Sequence, residues 1–192
     1  MSTSVANLSV TGNTKMISES IFEEVKGKKD IRPIAEIESL DGNDLIFPGF
    51  PVNMVGAPKE IKNFLEYNGR GKTFTPFIAH AMVPNSPPLG AVFENCKEAA
   101  NGTRVIGMFS CQGEPDRDLA EALMKSPDTK MRGFGETRIL SVGHSNAHDR
   151  TKARNFAREI THKAEISEMR GTGAFWLPSQ FFFIDLCPKA RE

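Results

Sequence analysis

Short apolar runs along the chain alternate with longer segments in which apolar residues recur every three or four positions. The short runs predict buried strands, and the longer pattern predicts amphipathic helices packed against a sheet. The predicted strands are residues 4–8, 31–37, 44–47, 73–79 and 104–111. The predicted helices are residues 16–25, 57–65, 89–100, 116–124 and 147–169, with a short extended piece at residues 138–142. This alternation indicates an α/β fold with a doubly wound, five-stranded parallel sheet and helices on both faces.

Proline positions refine two of these strands. Residues 31–37 contain Pro33, and a proline is tolerated best at the edge of a sheet, so we expect an edge strand there. Pro76 lies within residues 73–79, where the Thr, Phe and Ile content otherwise favours a strand.

Length and composition limit how many domains the chain can form. The 192 residues fit one domain with a sizeable core, and we expect that domain at residues 1–169. Residues 170–192 form an aromatic-rich C-terminal tail of different composition. Its aromatic residues are Phe175, Trp176, Phe181, Phe182 and Phe183. Either they pack back onto the domain, since large exposed apolar patches are uncommon, or they form an arm for homo-oligomerisation or for a partner.

The charge balance argues against partners that are recognised by long-range electrostatics. There are 24 Lys and Arg residues and 24 Asp and Glu residues, so neither nucleic acid nor an anionic membrane is expected as a partner. Three cysteines without CxxC spacing argue against a disulfide framework and a cysteine zinc site. The N-terminus lacks the pattern of a leader peptide and no apolar run approaches membrane-spanning length, so we expect a soluble, cytoplasmic protein.

A hydroxyl- and glycine-rich turn between the first strand and the first helix is the most distinctive stretch. Its sequence is Ser9-Val10-Thr11-Gly12-Asn13-Thr14. Such a turn allows several backbone N–H groups and the positive end of the following helix to converge on one anion. It therefore predicts a phosphate site and a nucleotide-type ligand. The alternative is that the turn only caps the helix.

Two later loops are expected at the same place. In an open parallel sheet, ligands collect beyond the carboxyl ends of the strands. Residues 50–56 and 80–88 follow predicted strands, and they would flank a flat group attached to the phosphate.

These residues resemble those of the flavodoxins. The turn after the first strand is similar to the FMN-phosphate loop of that family. Residues 44–51 (DLIFPGFP), followed by Ala57-Pro58-Lys59, are similar to its third strand and flavin loop. Residues 77–82 (FIAHAM) and 105–113 (VIGMFSCQG) resemble a branch of flavodoxin-like proteins found in bacteria and archaea. The resemblance covers residues 4–165 and leaves the tail unexplained.

The resemblance implies a flavodoxin-like domain that binds FMN non-covalently and transfers electrons to or from a redox partner protein. It would act as a carrier or as the flavin component of a small oxidoreductase, and no catalytic residue is assigned. The phosphate would be bound by the side chains of Ser9, Thr11, Asn13 and Thr14 and by the amides of Val10 to Thr14, with Gly12 allowing close approach. Pro51, Val52, Asn53 and Met54 would lie on one side of the flavin, and His80, Ala81 and Met82 on the other. His80 is otherwise an ordinary loop residue.

The sequence also departs from flavodoxins. The only tryptophan, Trp176, and the only tyrosine, Tyr67, lie outside the two loops that would flank the flavin, and Met54 is the candidate substitute. The Gly-Asp-x-x-Tyr pattern is missing after the fourth strand, and so is the overall acidity that would attract a basic partner. A second hypothesis is therefore a ligand-binding or regulatory module of this fold without redox activity.

Two further features have structural interpretations. His144 and His148 are spaced as metal ligands on a helix would be, but no third ligand accompanies them, which favours solvated or helix-start histidines. Cys111 closes an apolar strand and is interpreted as a buried small residue, with a redox-active thiol as the alternative.

Overall fold

The computed structural model describes residues 1–53, 56–84, 86–100 and 102–170, so Met54 and residues 171–192 lie outside the described part. The strands are β1 (Ser2–Asn7), β2 (Lys28–Pro33), β3 (Leu45–Pro51), β4 (Thr73–Phe74), β5 (Phe77–His80), β6 (Arg104–Val105) and β7 (Phe109–Gln112). The helices are α1 (Asn13–Glu24), α2 (Lys59–Asn68), α3 (Pro87–Ala99), α4 (Arg117–Met124), α5 (Thr129–Glu136) and α6 (Ala147–Arg170). Two short 3-10 helices occupy Ile34–Glu36 and Thr137–Leu140.

The strands form one parallel sheet with five positions. The order across the sheet is β2, β1, β3, then β4 followed by β5 in the fourth position, and β6 followed by β7 in the fifth. The doubly wound, five-stranded parallel sheet predicted from the sequence is therefore confirmed. The predicted edge strand does lie at an edge, as β2, but it ends at Pro33 because Ile34–Glu36 turns into a 3-10 helix.

Two of the predicted strands are each divided in two. Pro76 separates β4 from β5, since a proline has no N–H to donate to the ladder. The neighbouring position carries a bulge: Thr73 pairs with Arg104 but Phe77 pairs with Phe109, so β6 and β7 are one residue further apart than β4 and β5. The sheet therefore stays continuous although two of its positions are interrupted.

Apolar side chains cover both faces of the sheet, which confirms the helices predicted on each side. Helices α1 and α6 cover one face, whose buried residues include Val5, Ile17, Ile21, Leu45, Phe47, Phe77, Phe109, Phe156 and Ile160. Helices α2 and α3 cover the other, whose buried residues include Ile46, Phe50, Ile61, Phe64, Leu65, Phe74, Ile78, Val92 and Cys96. Burial of each such side chain contributes about 1.5–3 kcal/mol, so the two layers hold the sheet between them.

Phe156 of α6 lies at the centre of one of these layers. Its ring meets Phe47 edge-on, with centroids 6.1 Å apart, and stacks on Phe109 at 5.5 Å. The same helix approaches the bulged strand at Gly107, where an added Cβ would lie 2.5 Å from Ile160 Cδ1. A side chain at position 107 would therefore require the end of the Ile160 side chain to shift.

Helix α6 runs back across the sheet from its carboxyl edge to its amino edge. Its last turns reach Arg104 at the start of β6, where Arg104 Nη2 donates a hydrogen bond to Ser167 Oγ at 2.8 Å. It carries many charges, two of which pair with α1: Arg154 with Glu23 at 3.3 Å and Arg158 with Glu24 at 2.9 Å. Within the described residues, no helix combines the length and the apolar composition that crossing a membrane requires.

The connection from β7 to α6, residues 113–146, differs from the sequence-based expectation. We refer to it as the β7–α6 segment. The predicted extended piece at residues 138–142 is wrong, because Thr137–Leu140 is a 3-10 helix followed by a turn. Helix α5 was not predicted, since its two glycines are poor helix formers. One of them, Gly135, packs on α4, where an added Cβ would lie 2.7 Å from Ala120 O.

Candidate functional site

The carboxyl ends of β1, β3, β5 and β7 border one cavity of about 360 Å³. Nine of the site residues predicted from the sequence line it: Val10, Thr11, Asn13, Thr14, Pro51, Val52, Asn53, His80 and Ala81. The structure therefore brings the turn and both later loops together at one place, as the parallel sheet dictates.

Four predicted site residues are placed differently. Ser9 and Gly12 belong to the turn but are not among the residues that line the cavity. Met82 is partly buried against the core on the α2 and α3 side of the sheet. Met54 lies outside the described residues.

The turn before α1 presents unpaired backbone amides. Gly12 adopts a left-handed conformation, with φ 91°, and directs the chain into the helix. The amides of Val10 to Thr14 donate to no acceptor within the described part of the chain. No atom lies within 4 Å of the place where a Gly12 Cβ would stand, so the space in front of the turn is open. Successive free N–H groups at the start of a twelve-residue helix are the arrangement that binds an anion.

Helix capping accounts for only one residue of the turn. Ser9 Oγ accepts a hydrogen bond from Lys15 N at 3.2 Å, so this side chain caps the first turn of α1. Gly12, the residue at the N-cap position, has no side chain that could do so. The free amides are therefore not explained by capping.

Asn13 connects the turn to the β7–α6 segment. Its Nδ2 donates to Thr11 Oγ1 and to Glu114 O, both at 2.7 Å, and its Oδ1 accepts from Ser145 N at 3.1 Å. Both amide hydrogens are thus used inside the protein, which leaves the backbone N–H of Asn13 as its donor to an anion. Glu114 and Ser145 lie at the two ends of the segment, so one side chain ties both ends to the turn.

The loop after β5 is fixed by two side chains that share one acceptor. His80 Nδ1 and Gln112 Nε2 each lie 3.1 Å from Met82 O. Because a carbonyl only accepts, Nδ1 of His80 carries its proton. His80 is buried and borders the cavity, so its ring both positions the loop and forms part of the wall.

Neutral donors, not cations, would have to bind an anion here. None of the described residues lining the cavity is a lysine or arginine. Three acidic residues line it: Glu60, Glu114 and Asp116. Glu114 is neutralised from behind, because its carboxylate accepts from Arg138 and from Gly143 N, the latter at 3.0 Å. The amides and hydroxyls of the turn are therefore the groups available to a phosphate.

The rest of the cavity wall is mainly apolar. It is formed by Leu8, Pro51, Val52, Ala79 and Ala81, together with Leu119 from α4. No phenylalanine, tyrosine or tryptophan is among the described residues that line it. The cavity therefore combines a mainly apolar wall with the free amides of the turn, which suits a mostly apolar group that carries a phosphate.

Sequence reasoning missed the residues that follow the fifth sheet position. Gly113, Glu114, Pro115 and Asp116 line the cavity, as do Pro58 and Glu60 before and within α2. The signal was present, because a loop that follows a parallel strand opens at the same edge as the others. Leu119 could not be found in this way, since it depends on how α4 is placed.

The remaining candidates have structural roles. His144 precedes α6, and its Nδ1 lies 2.7 Å from Asp149 Oδ2, while His148 belongs to the helix. No group of side chains that could hold a metal ion occurs among the described residues. Cys111 is buried, which confirms the interpretation of a buried small residue, and burial raises the pKa of its thiol to about 12. It therefore stays protonated and unreactive near neutral pH.

A family model of the flavodoxin domain matches residues 5–161. The chain belongs to the flavodoxin family. A flavodoxin-like domain-containing protein, BilS of Clostridioides difficile, is 27% identical over 168 residues, which cover 82% of this chain and 95% of BilS.

Solved structures of low identity were also compared with this flavodoxin-family chain. A flavoprotein from Lactobacillus acidophilus, in complex with FMN, is 21% identical, covers 65% of this chain and 99% of its own, and has a TM-score of 0.48. A WrbA-like flavodoxin from Agrobacterium tumefaciens is 18% identical, covers 82% of this chain and 98% of its own, and has a TM-score of 0.46.

Proposed function

We propose that this protein binds FMN non-covalently and transfers electrons, as a carrier or as the flavin component of a small oxidoreductase. The observation that carries the proposal is the row of unpaired amides from Val10 to Thr14, which opens onto an apolar slot at the carboxyl edge of the sheet. Membership of the flavodoxin family supports the same cofactor.

The residues present suit the parts of FMN. The phosphate would accept from the free amides of the turn and from the hydroxyls of Thr11 and Thr14, with the positive end of α1 behind them. The flavin ring would lie between Val52 on one loop and Ala81 on the other. A cavity of about 360 Å³ falls within the size range of cofactor sites.

Bound FMN would supply one-electron, two-electron and hydride chemistry. The protein's part is to hold the phosphate without a cation and to keep the loop after β5 in place through His80 and Gln112. None of the described side chains around the cavity forms a nucleophile and base pair, so electron exchange with a partner is the activity that fits.

Replacing Gly12 by valine tests the site. A β-branched residue is strained at this φ, and its side chain would fill the open space in front of the turn. We expect FMN binding, measured by quenching of flavin fluorescence, to weaken by about a hundredfold or more, since two or more charge-assisted hydrogen bonds are lost.

Two further variants keep this test decisive. Gly42→Val imposes similar strain at φ 77° near the amino end of β3, and it should leave FMN binding unchanged. Thr14→Val is almost isosteric and removes one hydroxyl, so it should weaken FMN binding by about tenfold. Wild-type affinity in a folded Gly12→Val protein would refute the phosphate site.

A ligand-binding module without redox activity is the second candidate. It is favoured by the lack of a phenylalanine, tyrosine or tryptophan among the described residues of the cavity wall, since a stacked aromatic ring of this kind contributes to flavin binding. A flavin spectrum that bleaches with dithionite and returns in air supports electron transfer. A colourless protein that ignores added FMN supports neither this cofactor nor this role.

A further inference from the structure

The β7–α6 segment contributes nothing to the two cores of the molecule. Neither the core on the α1 and α6 side nor that on the α2 and α3 side contains any described residue between Cys111 and Ala153. Helix α4 buries only Ala120, and α5 buries only Gly135. The two helices pack on each other at that point, and their other residues are exposed or half-buried.

Exposed apolar side chains are concentrated in this segment. Ten large apolar residues are exposed in the described part of the chain, and six of them lie between residues 113 and 146. These six are Leu119, Met124, Phe134, Ile139, Leu140 and Val142. A further two, Val10 and Val83, belong to loops at the same edge of the sheet. Concentrated exposed apolar surface on a soluble fold marks an interaction site.

The segment is fixed beside the cavity by polar contacts at its two ends. Asn13 binds Glu114 O and Ser145 N, and Glu114 N donates to His144 O at 2.9 Å, so the segment leaves and returns at one point. Its first residues and Leu119 line the cavity. A protein that covers the exposed Leu119 would therefore lie at the cavity mouth.

The charge of the segment shows what kind of partner it fits. Residues 113–146 contain five basic and six acidic residues, and Arg117 pairs with Glu121 as Arg138 does with Glu114. Such a surface gives no electrostatic attraction to a basic protein. It complements an apolar surface of low net charge.

We propose that the exposed apolar residues of the β7–α6 segment form the docking surface for the redox partner, a protein that presents an apolar face of low net charge around its own redox centre. The inference rests on the proposed function, because it assumes that electrons leave or enter through the cavity beside the segment. Binding there is governed by apolar burial, so its rate depends little on salt.

Two other occupants fit the geometry less well. A second copy of the chain seated at the cavity mouth would block the partner's access to the cofactor. The C-terminal tail starts after α6, whose 24 residues span about 36 Å from the carboxyl edge to the amino edge of the sheet. To reach the segment, the tail of the same chain would therefore have to extend back across the whole sheet.

A site-specific photo-crosslinker at position 139, in cells that naturally encode the protein, tests the proposal. Ile139 is 75% exposed and does not line the cavity. The matched control places the crosslinker at Tyr67 on α2, which is 86% exposed. We expect position 139, and not position 67, to capture one protein that carries a redox centre and exchanges electrons with the purified FMN-loaded protein.

Charged variants then measure the contribution of the surface. Ile139→Glu and Leu140→Glu should slow electron exchange with the captured protein by about tenfold each, since a charge is buried in an apolar interface. Tyr67→Glu should leave it unchanged. Reduction by dithionite and FMN affinity should be unaffected in all three variants, because these need no docking.

The remaining outcomes overturn the docking surface. One is crosslinking at position 139 that is no greater than at position 67. Others are a crosslinked product that contains only a second copy of the chain, or one that is lost when residues 171–192 are removed. A captured protein without a redox centre would also overturn it. Unchanged exchange rates in both charged variants would do the same. Failure of the proposed function is separate, since it shows as a protein that does not bind FMN at all.

Discussion

The sheet with its two helical layers and the β7–α6 segment use their apolar residues in opposite ways. In the sheet, Phe47, Phe109 and Phe156 are buried and contact one another. In the segment, Phe134 and Ile139 are exposed, and polar contacts at Glu114 and Ser145 hold the ends in place.

This difference separates stability from recognition. Apolar residues that pack in a core stabilise the fold, whereas apolar residues left exposed at fixed positions are available to a partner. The cavity lies where the two regions meet, and the turn that would hold a phosphate is bonded to the segment through Asn13. Substitutions in the two regions should therefore affect different measurements.

The largest expected effect is the loss of an aromatic side chain from the core. Phe156→Ala removes a fully buried ring from between Phe47 and Phe109 and should lower the free energy of unfolding by about 3–5 kcal/mol. Urea denaturation followed by circular dichroism measures it.

Ile139→Ala is the control in the segment. This residue is 75% exposed, so the free energy of unfolding should fall by less than about 1 kcal/mol. Equal losses in the two variants would mean that the segment belongs to the folding core, contrary to the comparison.

A smaller effect on the free energy of unfolding is expected at alkaline pH. It arises from two cysteines that are buried against the sheet, and not from the β7–α6 segment. Cys96 and Cys111 are buried on opposite faces of the sheet, and burial raises the pKa of each thiol from 9.0 to about 12. Between these two pKa values, the thiols ionise in the unfolded chain but stay protonated in the folded protein. The free energy of unfolding should therefore fall as pH rises from 9, by up to about 1.4 kcal/mol per pH unit for each thiol.

Substituting each thiol separates its contribution to the pH dependence of unfolding from that of other groups that titrate in the same range. Cys96→Ala and Cys111→Ala should each make the decline between pH 9 and pH 11 shallower than in the wild type. A slope that stays the same in both variants would show that these thiols do not set the alkaline stability.

The sequence was sufficient to predict the sheet and which loops meet at its carboxyl edge. The sequence pattern marked all five sheet positions, although the edge strand β2 is only partly buried, and the rule for parallel sheets placed the turn and both loops together. The division of two strands was only partly visible. Pro76 signalled one break, whereas the extra residue between β6 and β7 is seen only in how these strands pair with β4 and β5.

The β7–α6 segment was predicted least well, for a physical reason. Helix α5 contains Gly133 and Gly135, and its apolar residues do not face a core, so neither propensity nor periodicity marks it. The bonds of Asn13 to Glu114 and Ser145 join positions far apart in the chain, and no local pattern reports such contacts.

The smallest effect, and the most direct test of how the two regions are joined, is expected from Asn13→Ala. The substitution removes the hydrogen bonds to Glu114 O and Ser145 N and should weaken the attachment of the segment by about 1–2 kcal/mol. Amide hydrogen exchange in α4 and α5 should then be about tenfold faster, while exchange in α6 stays slow because its contacts with the sheet are intact. Asn43 Nδ2 lies 3.4 Å from Ser2 Oγ at the opposite edge of the sheet. The control Asn43→Ala should therefore leave amide exchange in α4, α5 and α6 unchanged. If α4 and α5 keep their wild-type exchange rates in Asn13→Ala, contacts other than this side chain must hold the segment beside the cavity.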